Sequence, residues 1–169
     1  MKSFLGAAVL AVFLPLAASG QTVKGQLTAN GLTGPLSHVA AYEVDSPTER
    51  GLIDVVVVFS DRQLPRETAL NTDKLGELML NDKLVALRVV FDPRGKVRSA
   101  APFHPALKSF IQSGAFVKWK PAAYTEKEIG GRLFTNGDQQ IAGQRWRYDI
   151  TFMTPIVLDP NAKTGPPKK

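Results

Sequence analysis

Trp146-Arg147-Tyr148-Asp149-Ile150-Thr151-Phe152-Met153-Thr154-Pro155-Ile156 is the stretch whose pattern decides the fold class. Trp146, Tyr148, Ile150, Phe152, Thr154 and Ile156 fall on one face of an extended chain, and Arg145, Arg147, Asp149 and Thr151 fall on the other. Alternation with period two predicts a strand with one face in a core and one in water.

The stretch Leu52-Ile53-Asp54-Val55-Val56-Val57-Val58-Phe59 is apolar on both faces and rich in β-branched residues. It predicts a central strand covered on each side by a helix or a second sheet. Leu84 to Phe91 predicts another strand, with Val85, Leu87, Val89 and Phe91 on one face. Asp92-Pro93-Arg94-Gly95 then supplies type I turn chemistry, and Lys96 to Ala100 returns as a hairpin.

Residues 22–29 alternate, and Asn30-Gly31 and Gly34-Pro35 are turn signals. A second strand is expected over Leu36 to Val44, joined to the first as a hairpin. Phe116 to Lys120 and Ile129 to Thr135 are further predicted strands. Gly130-Gly131 inside the latter marks a bulge or a close backbone approach.

Two helices are expected. Leu75, Leu78 and Met79 have i, i+3, i+4 spacing behind a capping Asn71-Thr72-Asp73. Pro105 to Ser113 starts on a proline, carries Leu107, Phe110 and Ile111 as a stripe, and ends at Gly114. The expectation is a mainly β (α+β) fold. Its antiparallel sheet of about eight strands curls into a partial barrel or sandwich, with one or two short covering helices.

The ends of the chain read differently. Lys2, the apolar run Phe4 to Leu14, Pro15 and the small residues Ala17 to Gly20 have the order of a secretory signal peptide. The run is shorter than the ~20 residues that span a bilayer. Cleavage is expected after Ala18 or Gly20. Leu16-Ala17-Ala18-Ser19 has a lipoprotein-like shape with serine in place of the lipid-bearing cysteine, and the chain has no cysteine. The expected organisation is a signal peptide over 1–20, a single β-rich domain over 21–158 and a flexible Pro/Gly/Lys tail over 159–169. The expected location is the periplasm or the medium, with no stable membrane anchor after cleavage.

Composition excludes several chemistries. Without cysteine there are no disulfides, thiolate metal sites, iron–sulfur clusters or thiol nucleophiles. Lys and Arg number 21 against 15 Asp and Glu, a balance that affects solubility and weak attraction to anionic surfaces. Export and this mild charge argue against a nucleic-acid partner. Phe116-Val117-Lys118-Trp119-Lys120 and Arg145-Trp146-Arg147-Tyr148 interleave aromatics with bases, but neighbouring strand residues point to opposite faces. The rings should lie in the core and the bases in water.

No catalytic constellation stands out. Gly-x-Ser-x-Gly and His-Glu-x-x-His are absent, and His38 and His104 are the two histidines. His38 suits a hydrogen-bonded role in a strand, and His104 precedes Pro105 beside an expected helix start. Asp54 interrupts the apolar run and, if buried, needs a partner such as Arg132 or Arg88. Ser60-Asp61-Arg62 ends the most buried strand, where binding groups tend to sit. Asp61, Arg62 and His38 are therefore the candidate ligand-binding residues. No catalytic residue, metal or cofactor is expected.

Four phrases in order behind the leader carry a resemblance. They are Leu36-Ser37-His38-Val39-Ala40-Ala41-Tyr42, Val57-Val58-Phe59-Ser60-Asp61-Arg62-Gln63-Leu64-Pro65, Ile129-Gly130-Gly131-Arg132-Leu133-Phe134-Thr135 and Tyr148-Asp149-Ile150-Thr151-Phe152. Over most of residues 23 to 157 the chain resembles a group of uncharacterised exported bacterial β-rich proteins. The resemblance implies one exported β-rich domain and transfers no activity. The functional expectation is a non-enzymatic envelope protein that binds a small ligand or an envelope partner. A small apolar ligand could sit inside if the sheet closes. Two alternatives are a hydrolase using Asp54, Asp61 or a histidine, and an assembly subunit that pairs through a strand edge.

Overall fold

The computed structural model describes residues 20–109 and 112–159, so most of the leader and all but the first residue of the tail lie outside it. Ten strands and two short helices follow in the order β1 (Thr22–Ala29), β2 (Leu32–Pro35), β3 (His38–Asp45), β4 (Ile53–Ser60), α1 (Arg66–Leu70), α2 (Thr72–Asn81), β5 (Ala86–Phe91), β6 (Val97–Phe103), β7 (Val117–Tyr124), β8 (Glu128–Thr135), β9 (Gln139–Ile141) and β10 (Gln144–Val157). The fold is mainly β and mainly antiparallel, as expected from sequence.

The long β10 organises the sheet. It pairs antiparallel with β1 along one edge and with β8 along the other, and its end turns to pair parallel with β3 at Ile156–Ala41 and Val157–Tyr42. The path β2-β1-β10-β3-β4-β5-β6 branches through β8 to β7, and β9 adds to β10. Strict alternation along β10 is observed: Trp146, Tyr148, Ile150, Phe152, Thr154 and Ile156 are buried, while Arg145, Arg147, Asp149 and Thr151 are exposed.

The sheet folds across itself without closing into a barrel. Phe91 of β5 packs edge-on against Trp119 of β7 at 5.1 Å, and Phe59 of β4 against Phe152 of β10 at 4.8 Å. These strands are not hydrogen-bonded neighbours, so the rings join two layers. They fill the interior that a closed sheet would have offered a ligand. Central β4 has its predicted double cover. Val55, Val57 and Phe59 face the first layer, while Val56 and Val58 face Ala69 and Leu70 of α1. Next to them Leu75 and Met79 of α2 cover Leu84, Ala86, Ala101 and Phe103.

Local chemistry explains the elements. Asn71 caps α2, its Oδ1 accepting from the Asp73 and Lys74 amides at 3.0 and 3.1 Å. Asp92 closes the β5–β6 turn, its Oδ1 accepting from the Arg94 and Lys96 amides at 2.9 Å.

Four expectations are corrected. The hairpin partner of β1 is β2, closed at Asn30-Gly31, where φ is 47° and 85°. The strand expected over Leu36 to Val44 is β3, which leaves β1 and pairs with β4 and β10. The helix expected over Pro105 to Ser113 does not form among the described residues, and Phe110 and Ile111 lie outside them. Its backbone groups are taken elsewhere: the Ala106 amide donates to His104 Nδ1, Ala106 O accepts from Asn30 Nδ2, the Lys108 amide donates to Gln144 Oε1, and Ser113 bridges Ala100. The partner of Asp54 is Arg98, while Arg132 pairs with Asp149 and Arg88 meets no carboxylate among the described residues. Helix α1 and the short β9 carry too few residues for a periodic signal and were not expected.

Candidate functional site

The start of β3 and the end of β4 lie side by side, with His38 opposite Ser60. The Ser37 amide donates to Ser60 O at 2.9 Å, and the Ser37 hydroxyl donates to Asp61 O at 3.1 Å. The same hydroxyl lies 3.1 Å from His38 Nδ1. Pro65 then starts α1, which crosses the outer side of β3 and β4.

Between α1 and these strands is a cleft of about 230 Å³. His38, Ser60 and Gln63 give it polar groups, and Tyr42, Val58, Leu64 and Ala69 give it an apolar floor. Gln21 stands at its rim, and a second depression continues past His38 along Gln21, Thr22 and Val23. Arg66 stacks over the Tyr42 ring at 5.6 Å and pairs with Asp159 at 3.3 Å. Burial pushes the Tyr42 hydroxyl above its ordinary pKa, and Arg66 partly offsets that. Tyr42 thus stays a neutral phenol across the physiological range.

The three residues singled out from sequence divide here. His38 is exposed and lines the cleft. Asp61 and Arg62 grip each other in a two-pronged ion pair at 2.9 and 3.1 Å. Asp61 also accepts from the Val85 amide, and Arg62 donates to Asp82 O. These bonds lock the loop to the start of β5 and neutralise both charges, so the pair supports the cleft without lining it. Gln63, Leu64, Ala69 and Tyr42 were missed. Pro65 ahead of Arg66-Glu67, a proline beside an acidic first turn, was the available signal for the helix that brings Ala69 there.

Of the groups named for a hydrolase, His38, Ser60 and Asp61 share this end of β3 and β4, while Asp54 and His104 do not join them. The Ser60 hydroxyl donates to Arg62 O at 2.6 Å and is tied to its own turn. Asp54 sits at the other end of β4, roughly 20 Å away at ~3.3 Å per residue. His104 is buried beyond β6 with its Nδ1 occupied by the Ala106 amide. Among the described residues no three His, Asp or Glu side chains are placed to hold a metal ion.

Comparison of the chain with protein-family models, with curated proteins and with solved structures returned no match.

Proposed function

We propose that this chain is an exported, non-enzymatic binding domain of the bacterial envelope, and that its ligand site is the cleft between β3, β4 and α1. The observation that carries the reading is the composition of that cleft. It joins an apolar floor of Val58, Leu64 and Ala69 to the exposed polar groups of His38 and Gln63 at the end of the most buried strand. The cleft is concave, with apolar side chains at its floor and polar groups converging at its mouth, a form that can hold a ligand's polar end and bury its apolar part. At about 230 Å³ the cleft is below the ~300–1,000 Å³ of drug-sized sites, so it suits a short amphipathic molecule. His38 and Gln63 favour a hydrogen-bonding polar end on that molecule.

Hydrolysis is disfavoured because the Ser60 hydroxyl is donated to Arg62 O, the Asp61 carboxylate is held by Arg62 and the Val85 amide, and Asp54 and His104 lie elsewhere. Strand-edge assembly is also disfavoured. Edge strand β2 is four residues long and ends in Gly34-Pro35, β7 carries Lys118, Lys120 and Pro121, and Ser113 bridges the free edge of β6. Charges, prolines and short length are the devices that blunt an edge.

The test is an NMR titration of the purified domain with short fatty acids from butanoate to octanoate, and with hexanol. Saturable shifts at His38, Gln63 and Ala69, abolished by Ala69→Trp, support the reading. Shifts absent from these residues with every probe overturn it. Osmotic-shock fractionation and the intact mass of the full chain's product test export separately.

A further inference from the structure

Among the described residues no element covers the outer face of the β2-β1-β10-β8-β7 layer, and α1 and α2 lie on the opposite side. Register places Lys24, Thr151, Arg132 and Lys120 in one row across four strands. The next row runs through Gln26, Asp149, Phe134 and Lys118. Arg145 and Arg147 extend the same face along β10. All six bases are exposed.

Charge is concentrated here. Residues 21–158 carry 17 basic and 14 acidic residues, and this face holds six of the former with three of the latter, Glu128, Asp138 and Asp149. The rest of the domain balances at eleven against eleven. Arg132 pairs with Asp149 and Arg147 with Asp138. Lys24, Lys118, Lys120 and Arg145 meet no carboxylate among the described residues.

We propose that this open basic sheet face docks on anionic phospholipid headgroups. Shape and charge select that occupant. The bases are spread over four strands at ~4.8 Å spacing, an array that meets a planar field of charge and offers no groove to a single chain. Phe134, a ring on this face, is flanked by Lys120 at 5.7 Å and Arg132 at 4.8 Å. It is engaged by its own cations and so is a poor platform for stacking a base or a sugar. The proposal adds a second surface, on a different face from the helix-covered cleft, and rests on the export reading, which fractionation checks on its own.

The experiment is cosedimentation of the purified domain with phosphatidylcholine vesicles, with and without phosphatidylglycerol. Binding should require the anionic lipid and fall steeply with salt. Lys118→Glu/Lys120→Glu and, on other strands, Lys24→Glu/Arg145→Glu should each weaken partitioning by about tenfold or more. Lys74→Glu/Lys83→Glu, on the helical side, should leave it within about twofold. Circular dichroism confirms that each variant folds. Equal binding to neutral vesicles, equal losses in the helical-side control, or retention on heparin without vesicle binding would each overturn the proposal. The last outcome would assign the face to a soluble polyanion.

Discussion

Arg98 holds the carboxylate of Asp54 inside the sheet: its Nη2 donates to Oδ1 at 3.2 Å, and its Nε lies 3.1 Å from Oδ2. The Nε contact is one of charge and is not aligned as a hydrogen bond. Asp54 is fully buried, whereas the Arg98 side chain reaches the surface and also meets Glu49, Ser46 and Thr48. One arginine thus ties the Ser46–Leu52 turn region to β6. Removing one member of a buried pair strands the other, at a cost of about 3–5 kcal/mol. Arg98→Met should lose about that much in urea unfolding. Asp54→Leu/Arg98→Met should recover a large part, because no charge remains to be stranded. A loss under about 1 kcal/mol for Arg98→Met would show that Asp54 finds water or another partner.

Arg88 presents the opposite case. It lies on the helix-facing side of β5, opposite Val58 and Ala101. Its Nε is buried without a hydrogen-bond partner among the described residues, and burial lowers its pKa. Methionine has a similar reach and no donor to satisfy. Arg88→Met should therefore raise the urea midpoint, by about 1 kcal/mol in stability. A drop of that size would mean that the guanidinium end makes a stabilising contact at the surface.

Gly131 is needed where β7 and β8 slip register between Pro121 and Ala123. Its φ is +151°, and a Cβ there would stand 2.3 Å from Lys120 O and 2.8 Å from the Trp119 ring. The obstacle on one side is backbone, which cannot rotate away. Gly131→Ala should cost about 3 kcal/mol, the upper end of the range for overpacking. It should also shift the Trp119 fluorescence, because Trp119 stacks on Phe152 and meets Phe91. An unchanged melting temperature with an unchanged spectrum would refute the close approach.

Fold legibility followed the range of the interaction. Period-two patterning located β10, a continuous β-branched apolar run located β4, and Asn71 and Asp92 were readable because caps and turns act within a few residues. What escaped depended on distant partners. Pro105 to Ser113 has helical spacing, yet Asn30 and Gln144 supply competing hydrogen bonds from far along the chain. Leu36 to Val44 read as the second arm of a hairpin, but its pairing with the end of β10 is a tertiary choice. Arg98 was passed over for Arg132 and Arg88 because cross-strand register, not distance along the chain, decides which arginine reaches Asp54. The candidate site was half legible for the same reason. His38 and the Ser60 loop could be placed at strand ends, whereas the floor from Leu64 and Ala69 exists only once α1 packs.

His104 should make stability depend on pH. Its ring is buried, its Nδ1 accepts the Ala106 amide at 3.1 Å, and burial lowers its pKa below the ordinary histidine value. A base with a depressed folded pKa binds fewer protons folded than unfolded, so stability rises with pH through that window. The contribution is fully present above the unfolded pKa of about 6.5 and is lost as pH falls toward the lower folded value. Protonation would also place a donor at Nδ1, facing the Ala106 amide that it now accepts from. His104→Asn keeps an acceptor in the same place and carries no titrating proton. Between pH ~7.5 and ~5 the unmodified protein should lose more stability in urea unfolding than the variant does. Parallel pH profiles for the two proteins would show that the buried imidazole does not couple protonation to folding.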